Sequence, residues 1–342
     1  MKRIVSLIIT AFILTACIFT FSACKEKCEH IAGNEQFYAE SGGVVTISKK
    51  CKMCGEATDE VIDTFNADAV IKYTGNRTAD GNEVTKAQQT ANGDITICLK
   101  KGTYGQIYVG DFEKKVRLVA EEGTRIEVVQ VNGGADGVTI ENIDIYYNDP
   151  ETDYSPCIKF ETAGGFSYWS NITIKNCNFS GLGTINSAWK KGVVENLIVD
   201  GCTFKDVTNN VNYEDSNLSA IFIGETWGTT VIKNCHFEHI AYSAIRLGYY
   251  SVEGETIIEN CYFKDIVRNR CIMFTAKNET LQDCQVSLVV RGCIFDDTGA
   301  LRFTKSTTVT NSNLYVYANT WRQIPTSIDN ATYYDAREQS EL

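Results

Sequence analysis

The chain has 342 residues, 44% of them hydrophobic, with a formal net charge of −11 and an isoelectric point near 4.9. That balance excludes nucleic acid as a partner, because a nucleic-acid surface needs a basic footprint. Three prolines suit a fold whose strands use every backbone N–H, and 14 cysteines raise the question of disulfides or metal.

Lys2 and Arg3 precede the apolar run Ile4–Ala23, interrupted only by Ser, Thr and Cys. A basic start, an apolar stretch and small residues before a processing site make residues 1–23 a lipoprotein signal peptide. Leu14-Thr15-Ala16-Cys17 matches a bacterial lipobox better in letters. Phe21-Ser22-Ala23-Cys24, however, lies where apolar residues give way to Lys25-Glu26-Lys27. Cys24 is therefore expected to carry the lipid. The protein is then exported and held by that anchor alone, at the cell surface or in an outer membrane or periplasm. An uncleaved transmembrane helix is the alternative, since the run is just long enough to span. The remaining chain suffices for one elongated domain and a small module, read as a monomer.

Residues 24–56 form that module. Cys28-x-His30 and Cys51-x-x-Cys54-Gly55 supply three thiols and an imidazole as two close pairs separated by a hairpin-length insert. The spacing suits a structural, tetrahedral zinc, a zinc-knuckle-like arrangement with no open position for catalysis. A disulfide pair or unpaired thiols are the alternatives. Residues 57–93 read as linker and N-terminal cap. Within them residues 75–82 are expected as loop and Val84–Ala91 as a short helix covering the open end of the next domain.

From Asp94 onward the chain repeats itself. Ile172–Phe179 reads ITIKNCNF and returns as LIVDGCTF (Leu197–Phe204), TVIKNCHF (Thr230–Phe237), TIIENCYF (Thr256–Phe263) and LVVRGCIF (Leu288–Phe295). Weaker copies start at Val138 and end at Trp321. Equivalent positions 143, 177, 202, 235, 261, 293 and 319 are spaced alternately by 32–34 and 25–26 residues. A sustained period of that size marks a solenoid. Period-two alternation of Ile, Val and aromatics makes the pieces strands. The residue before the cysteine is Asn142, Asn176, Gly201, Asn234, Asn260, Gly292 and Ala318. Asn and Gly enter left-handed backbone cheaply, so that position is a sharp corner between two short strands. Cys177, Cys202, Cys235, Cys261 and Cys293 should form one internal column, and Phe179, Phe204, Phe237, Phe263, Phe295 and Trp321 another. The cysteines are read as unpaired apolar core residues, with disulfides as the alternative. A second strand follows in each coil: CIKF from Cys157, AWKK from Ala188, AIFI from Ala220, AIRL from Ala244, CIMF from Cys271 and ALRF from Ala300. The fold class is all-β, a parallel β-helix over residues 94–330, followed by an acidic tail at 331–342.

This coil, together with the opening segment Gly93–Gly105 (GDITICLKKGTYG), resembles the right-handed parallel β-helix superfamily of pectate-lyase-like proteins. The resemblance implies a right-handed, single-stranded solenoid. It leaves lyases, hydrolases, epimerases and binding proteins open. The R-x-P-x-x-R motif of calcium-dependent pectate lyases is absent, so calcium has no motif here. Of the polygalacturonase signatures only Asp296-Asp297 has an echo.

In the A-I-x-L strands Ile and Leu point inward, so the residue between them points out. Successive coils then present Lys159, Lys190, Phe222, Arg246, Met273 and Arg302, preceded by Tyr108 and Gln130. Tyr146-Tyr147, Tyr168-Trp169, Trp227 and Tyr249-Tyr250 lie in the bracketing loops. Cations pair with uronate or sulfate and aromatic faces stack on sugar rings, which points to an acidic polysaccharide. Lys159, Phe222, Arg246, Arg302, Tyr249 and Trp227 are the candidate binding residues. For a lyase, Arg246 and Lys190 would neutralise the carboxylate, with His239 as a base in the turn beyond the N-C-x-F strand. In that turn Lys205, Glu238, Lys264 and Asp296 alternate in sign, and Asp206, His239, Asp265 and Asp297 follow. The alternative is a non-catalytic adhesive or structural protein with protein partners, whose outward face is merely solvated.

Overall fold

The computed structural model describes residues 28–110, 113–147, 157–161, 165, 167–181, 183–187, 192–207, 219–248, 254–276, 285–305 and 311–322. Cys24, Lys190 and Tyr249 lie outside the described residues, as do the signal peptide and the acidic tail. Among the described residues no helix is long and apolar enough to cross a membrane. The chain divides into two compact units, one of residues up to 39 with 46–65, the other of 40–45 with 66 onward.

The first unit is built on a three-stranded sheet of β1 (Ala32–Ser41), β2 (Val44–Cys51) and β3 (Ala57–Asn66), in that order. Gly42 and Gly43, at φ 63° and 85°, make the β1–β2 turn, a conformation glycine adopts without a Cβ clash. Tyr38, Val45, Ile47 and Cys51 are among the sheet's buried side chains. The sheet runs to Asn66, past the boundary expected at residue 56.

The second unit is the parallel β-helix. Its first parallel strand, Ala69–Ile71, pairs with Ile97–Leu99. The helix α1 (Arg77–Thr90) begins well before residue 84, inside the stretch expected as loop. Asn76 is the reason: its side chain accepts from Ala79 N–H as an N-cap. The helix packs against the first strands of the solenoid. Val84 joins the hydrophobic core, and Gln88 donates to Tyr108 O (2.8 Å) and accepts from Gly110 N–H (2.9 Å). A Cβ on Gly81 would fall 2.5 Å from Gln106 O, so only glycine permits this closeness.

From Val138 onward each described coil places one strand in a first sheet, turns at the corner residue, and continues in a second sheet. All seven expected corner residues are left-handed, from Asn176 at φ 51° to Gly201 at 64°. Beyond the corner, Phe179, Phe204, Phe237, Phe263 and Phe295 are buried and stack face to face at 4.4, 4.9, 5.0 and 5.0 Å between centroids. These distances match the ~4.8 Å rung spacing of a sheet, so register and ring stacking enforce one another. The five cysteines of the adjoining column are free, buried thiols. Each donates to a carbonyl in the coil before it, as Cys235 does to Val199 O (3.7 Å) and Cys261 to Ile232 O (3.6 Å). A small donor that needs no second polar partner explains cysteine at this place.

The second strand of each coil keeps Ile158, Ile185, Ile221, Ile245 and Ile272 inside. In the coil after Phe179 it is Thr184–Ser187, not the expected AWKK. Ile185 fills the inward place there, which shifts the assignment four residues towards the N-terminus.

Candidate functional site

The outward column of the second sheet runs Tyr108, Gln130, Lys159, Asn186, Phe222, Arg246, Met273, Arg302, each in parallel register with the next. Lys159, Phe222 and Arg246 stand in that column, and Arg302 is placed by its backbone register with Met273. The place assigned to Lys190 belongs to Asn186, because Thr184-Ile185-Asn186-Ser187 supplies the strand. The column is not uniformly solvated. Phe222 and Met273 point away from the core cluster yet are 1% and 7% exposed. The guanidinium of Arg246 lies 5.3 Å from the Phe222 ring centroid, and Ser243 donates to Met273 Sδ at 3.2 Å. The two apolar residues therefore hold neighbours in place and are not open sugar platforms.

His239 does not join this column. It occupies a second left-handed bend at φ 54°, equivalent to Asp206 (54°), Asp265 (50°) and Asp297 (47°). Its Nδ1 is 3.0 Å from Asp206 Oδ1. The bend thus selects short polar residues that tolerate positive φ, and His239 has a structural partner there.

The residue before that bend forms the expected ladder of alternating charge. Glu238 Oε1 meets Lys264 Nζ at 3.1 Å, and its Oε2 meets His236 Nε2 at 3.2 Å and Lys205 Nζ at 3.4 Å. The Lys264 ammonium, then His236, hold the Glu238 carboxyl down to about 2. On the next rungs Tyr262 Oη donates to Asp296 Oδ2 at 3.0 Å, and Arg322 lies 3.8 Å from the same oxygen. A compact Lys/His/Tyr/Arg set is thus present, but within it each carboxylate pairs with cations.

The first sheet carries features that the sequence reading passed over. The residue just before each corner alternates in sign: Glu141, Lys175, Asp200, Lys233, Glu259, Arg291. Contacts include Lys175–Glu141 (3.2 Å), Lys233–Asp200 (3.5 Å) and Arg291–Glu259 (2.6 Å). That alternation was visible in the repeats. On the same sheet a groove of about 500 Å³ is lined by Asp68, Asp94, Thr96, Lys115, Arg117 and Thr139 among others. Trp227 also belongs here, in the strand Thr226–Lys233, and its ring lies 6.0 Å from that of Tyr168 at 65°. Glu225 stands beside the Trp227 indole without closing a full hydrogen bond, leaving Nε1 buried and unpartnered. Burial pushes the Glu225 carboxyl up, and the indole opposes that rise. No periodicity marks Glu225 in the sequence.

In the first unit Cys28, His30, Cys51 and Cys54 bring all four donor atoms within 4.8 Å of one another. Cys28 Sγ and Cys51 Sγ are 3.6 Å apart, and Cys54 Sγ is 3.6 Å from His30 Nδ1. A tetrahedron with 2.3 Å metal–sulfur bonds has edges of about 3.8 Å, so the set fits a metal such as zinc. Gly55, left-handed at φ 75°, turns the chain after Cys54 and donates to Cys51 O at 2.9 Å. The Cys54 and Met53 N–H groups hold the Cys51 thiol down to about 6, the direction a metal-binding thiolate requires.

No protein-family model and no curated protein matches the chain. Among solved structures it is similar to the PL6 family alginate lyase AlyGC, at 14% identity and a TM-score of 0.47. That match covers 74% of this chain and spans 39% of the lyase. It is also similar to the pectin methylesterase from Aspergillus niger, at 13% identity over 88% of this chain and 94% of that one, with a TM-score of 0.46. A third is YbhC of Escherichia coli, at 9% identity, 85% and 99% coverage and a TM-score of 0.45.

Proposed function

We propose that the protein is a surface lipoprotein, anchored at Cys24, that binds an acidic polysaccharide along the outward column of the second sheet. The observation that carries this reading is the register Lys159–Asn186–Phe222–Arg246–Met273–Arg302. Its rungs repeat every ~4.8 Å, close to the roughly 5 Å advance of a sugar in an extended chain, so one polymer could meet Lys159, Asn186 and Arg246 while passing over the covered Phe222 and Met273. Binding is favoured over cleavage because His239, the expected base, lies in the bend of another strand and not in this column, where Asn186 holds the place expected for Lys190. In the first unit, Cys28, His30, Cys51 and Cys54 would hold one structural zinc that closes the module.

The test is to incubate the purified ectodomain with a panel of uronate-containing and sulfated glycans. Retention would be measured by affinity electrophoresis, and absorbance of an unsaturated product would be followed in parallel. Retention of an acidic polymer without new absorbance is expected. Absorbance would establish a lyase, and no retention of any polymer would refute the glycan reading.

A further inference from the structure

We infer that Tyr168, Glu225 and Trp227 form a subsite for an uncharged sugar ring, beside the cationic column and on the same coils. This rests on the glycan reading above and narrows its ligand to a polymer that mixes neutral with acidic residues.

The subsite is built by register. Trp227 follows Phe222 by five residues, across a bend where Gly224 N–H donates to Ser187 Oγ at 2.9 Å. Trp227 is in register with Glu195 on the preceding rung, and Tyr168 with Val193. Val194 N–H donates to Glu225 O at 3.0 Å, which sets Glu225 beside Val193. Val193 is fully buried but lies outside the core cluster, as expected of a residue roofed on its outward side. The Tyr168 and Trp227 rings meet edge to face, a stable aromatic geometry, while Tyr168 keeps 37% of its surface exposed.

Chemistry then selects the ligand. An aromatic face takes the C–H side of a sugar ring, and carboxylates accept from its hydroxyls. Glu195 and Glu225 on neighbouring rungs would repel a uronate or sulfate. The cations Lys159 and Arg246 lie across the bend, on the second sheet of the same group of coils. Acidic residues of one polymer would therefore sit on the second sheet while an uncharged residue sits on the first.

The experiment compares hyaluronan, in which uronate alternates with an uncharged sugar, with polygalacturonate, which is all uronate. Affinities would be measured by calorimetry for wild type, Tyr168→Ala, Tyr168→Phe, Trp227→Ala, Glu225→Gln and Arg246→Gln. Loss of the ring should weaken hyaluronan binding roughly tenfold and polygalacturonate binding less than twofold. Tyr168→Phe should bind as wild type does, which separates ring stacking from misfolding. Glu225→Gln should strengthen polygalacturonate binding, and Arg246→Gln should weaken both. If Tyr168→Ala and Trp227→Ala bind both polymers like wild type while Arg246→Gln weakens them, the subsite is wrong and the glycan reading stands. If wild type binds neither polymer but retains another acidic glycan, the subsite is wrong and the glycan reading stands; if it retains no acidic glycan at all, both are overturned.

Discussion

At the scale of single residues, backbone conformation and stacking decide what each position tolerates. Phe237 stacks between Phe204 and Phe263 and is fully buried. Phe237→Asp would leave an unpaired charge in a filled core, so it is expected to abolish cooperative unfolding by urea. Phe237→Ala should cost about 3–5 kcal/mol. Ala318 is left-handed at φ 56°, where its Cβ is strained. Ala318→Gly should therefore stabilise by about 0.5–1 kcal/mol in urea melts, against the usual cost of glycine. Glu238 gives a pH signature. Its folded carboxyl is held near 2, below the ordinary 4.5, by Lys264, His236 and Lys205. A depressed folded value contributes stability above the unfolded one and loses it as pH falls from about 4.5 towards 2. Because Lys205 and Lys264 are half exposed, that contribution is on the order of 1 kcal/mol. Glu238→Gln should thus be less stable than wild type at pH 7 and equal to it near pH 2.

At the scale of strands and ladders, alternation carries the argument. Lys233 sits between Asp200 and Glu259 on neighbouring rungs. Lys233→Glu would line up three carboxylates and should destabilise by about 1 kcal/mol, a loss that added salt reduces. A loss independent of salt would mean that packing, not charge, sets this ladder. The strands most legible in the sequence were those beside the N-C-x-F corner, because Asn, Cys and Phe each answer a different constraint there: positive φ, a small donor, a stacked ring. The A-I-x-L strand was legible wherever Ala or Cys preceded Ile. It was misplaced where Thr184-Ile185-Asn186-Ser187 does the same work with polar flanks, and Lys190 was assigned to the column for that reason. Thr173, outward on the first sheet and away from both charge ladders' paired side chains, serves as the control for binding experiments.

At the scale of the whole molecule, the fold and the ligand-binding surfaces differ in legibility. A period of 25–34 residues fixes a solenoid because every coil must meet the same neighbours. Nothing in a period says which outward residues become covered, as Phe222 and Met273 are, or which meet two rungs apart on one sheet, as Tyr168 and Trp227 do. The Cys/His module was legible because metal ligands are few and their spacing is strict. Freshly purified, reduced protein should contain one zinc per chain, and Cys51→Ser should abolish it by metal analysis. The proposed lipoprotein reading predicts a mature N-terminus at diacylated Cys24, and a lipidated Cys17 in the mass spectrum would overturn that assignment. The central claim is that the cationic column meets an acidic glycan on the outward face of the second sheet. Its most direct test is the affinity of the ectodomain for an acidic polysaccharide over a range of salt, with Arg246→Gln and Thr173→Ala alongside. Wild-type affinity should fall as salt rises, Arg246→Gln should bind more weakly with a shallower salt dependence, and Thr173→Ala should match wild type. If Arg246→Gln and Thr173→Ala give the same affinity at every salt concentration, the second-sheet face is only a solvated surface.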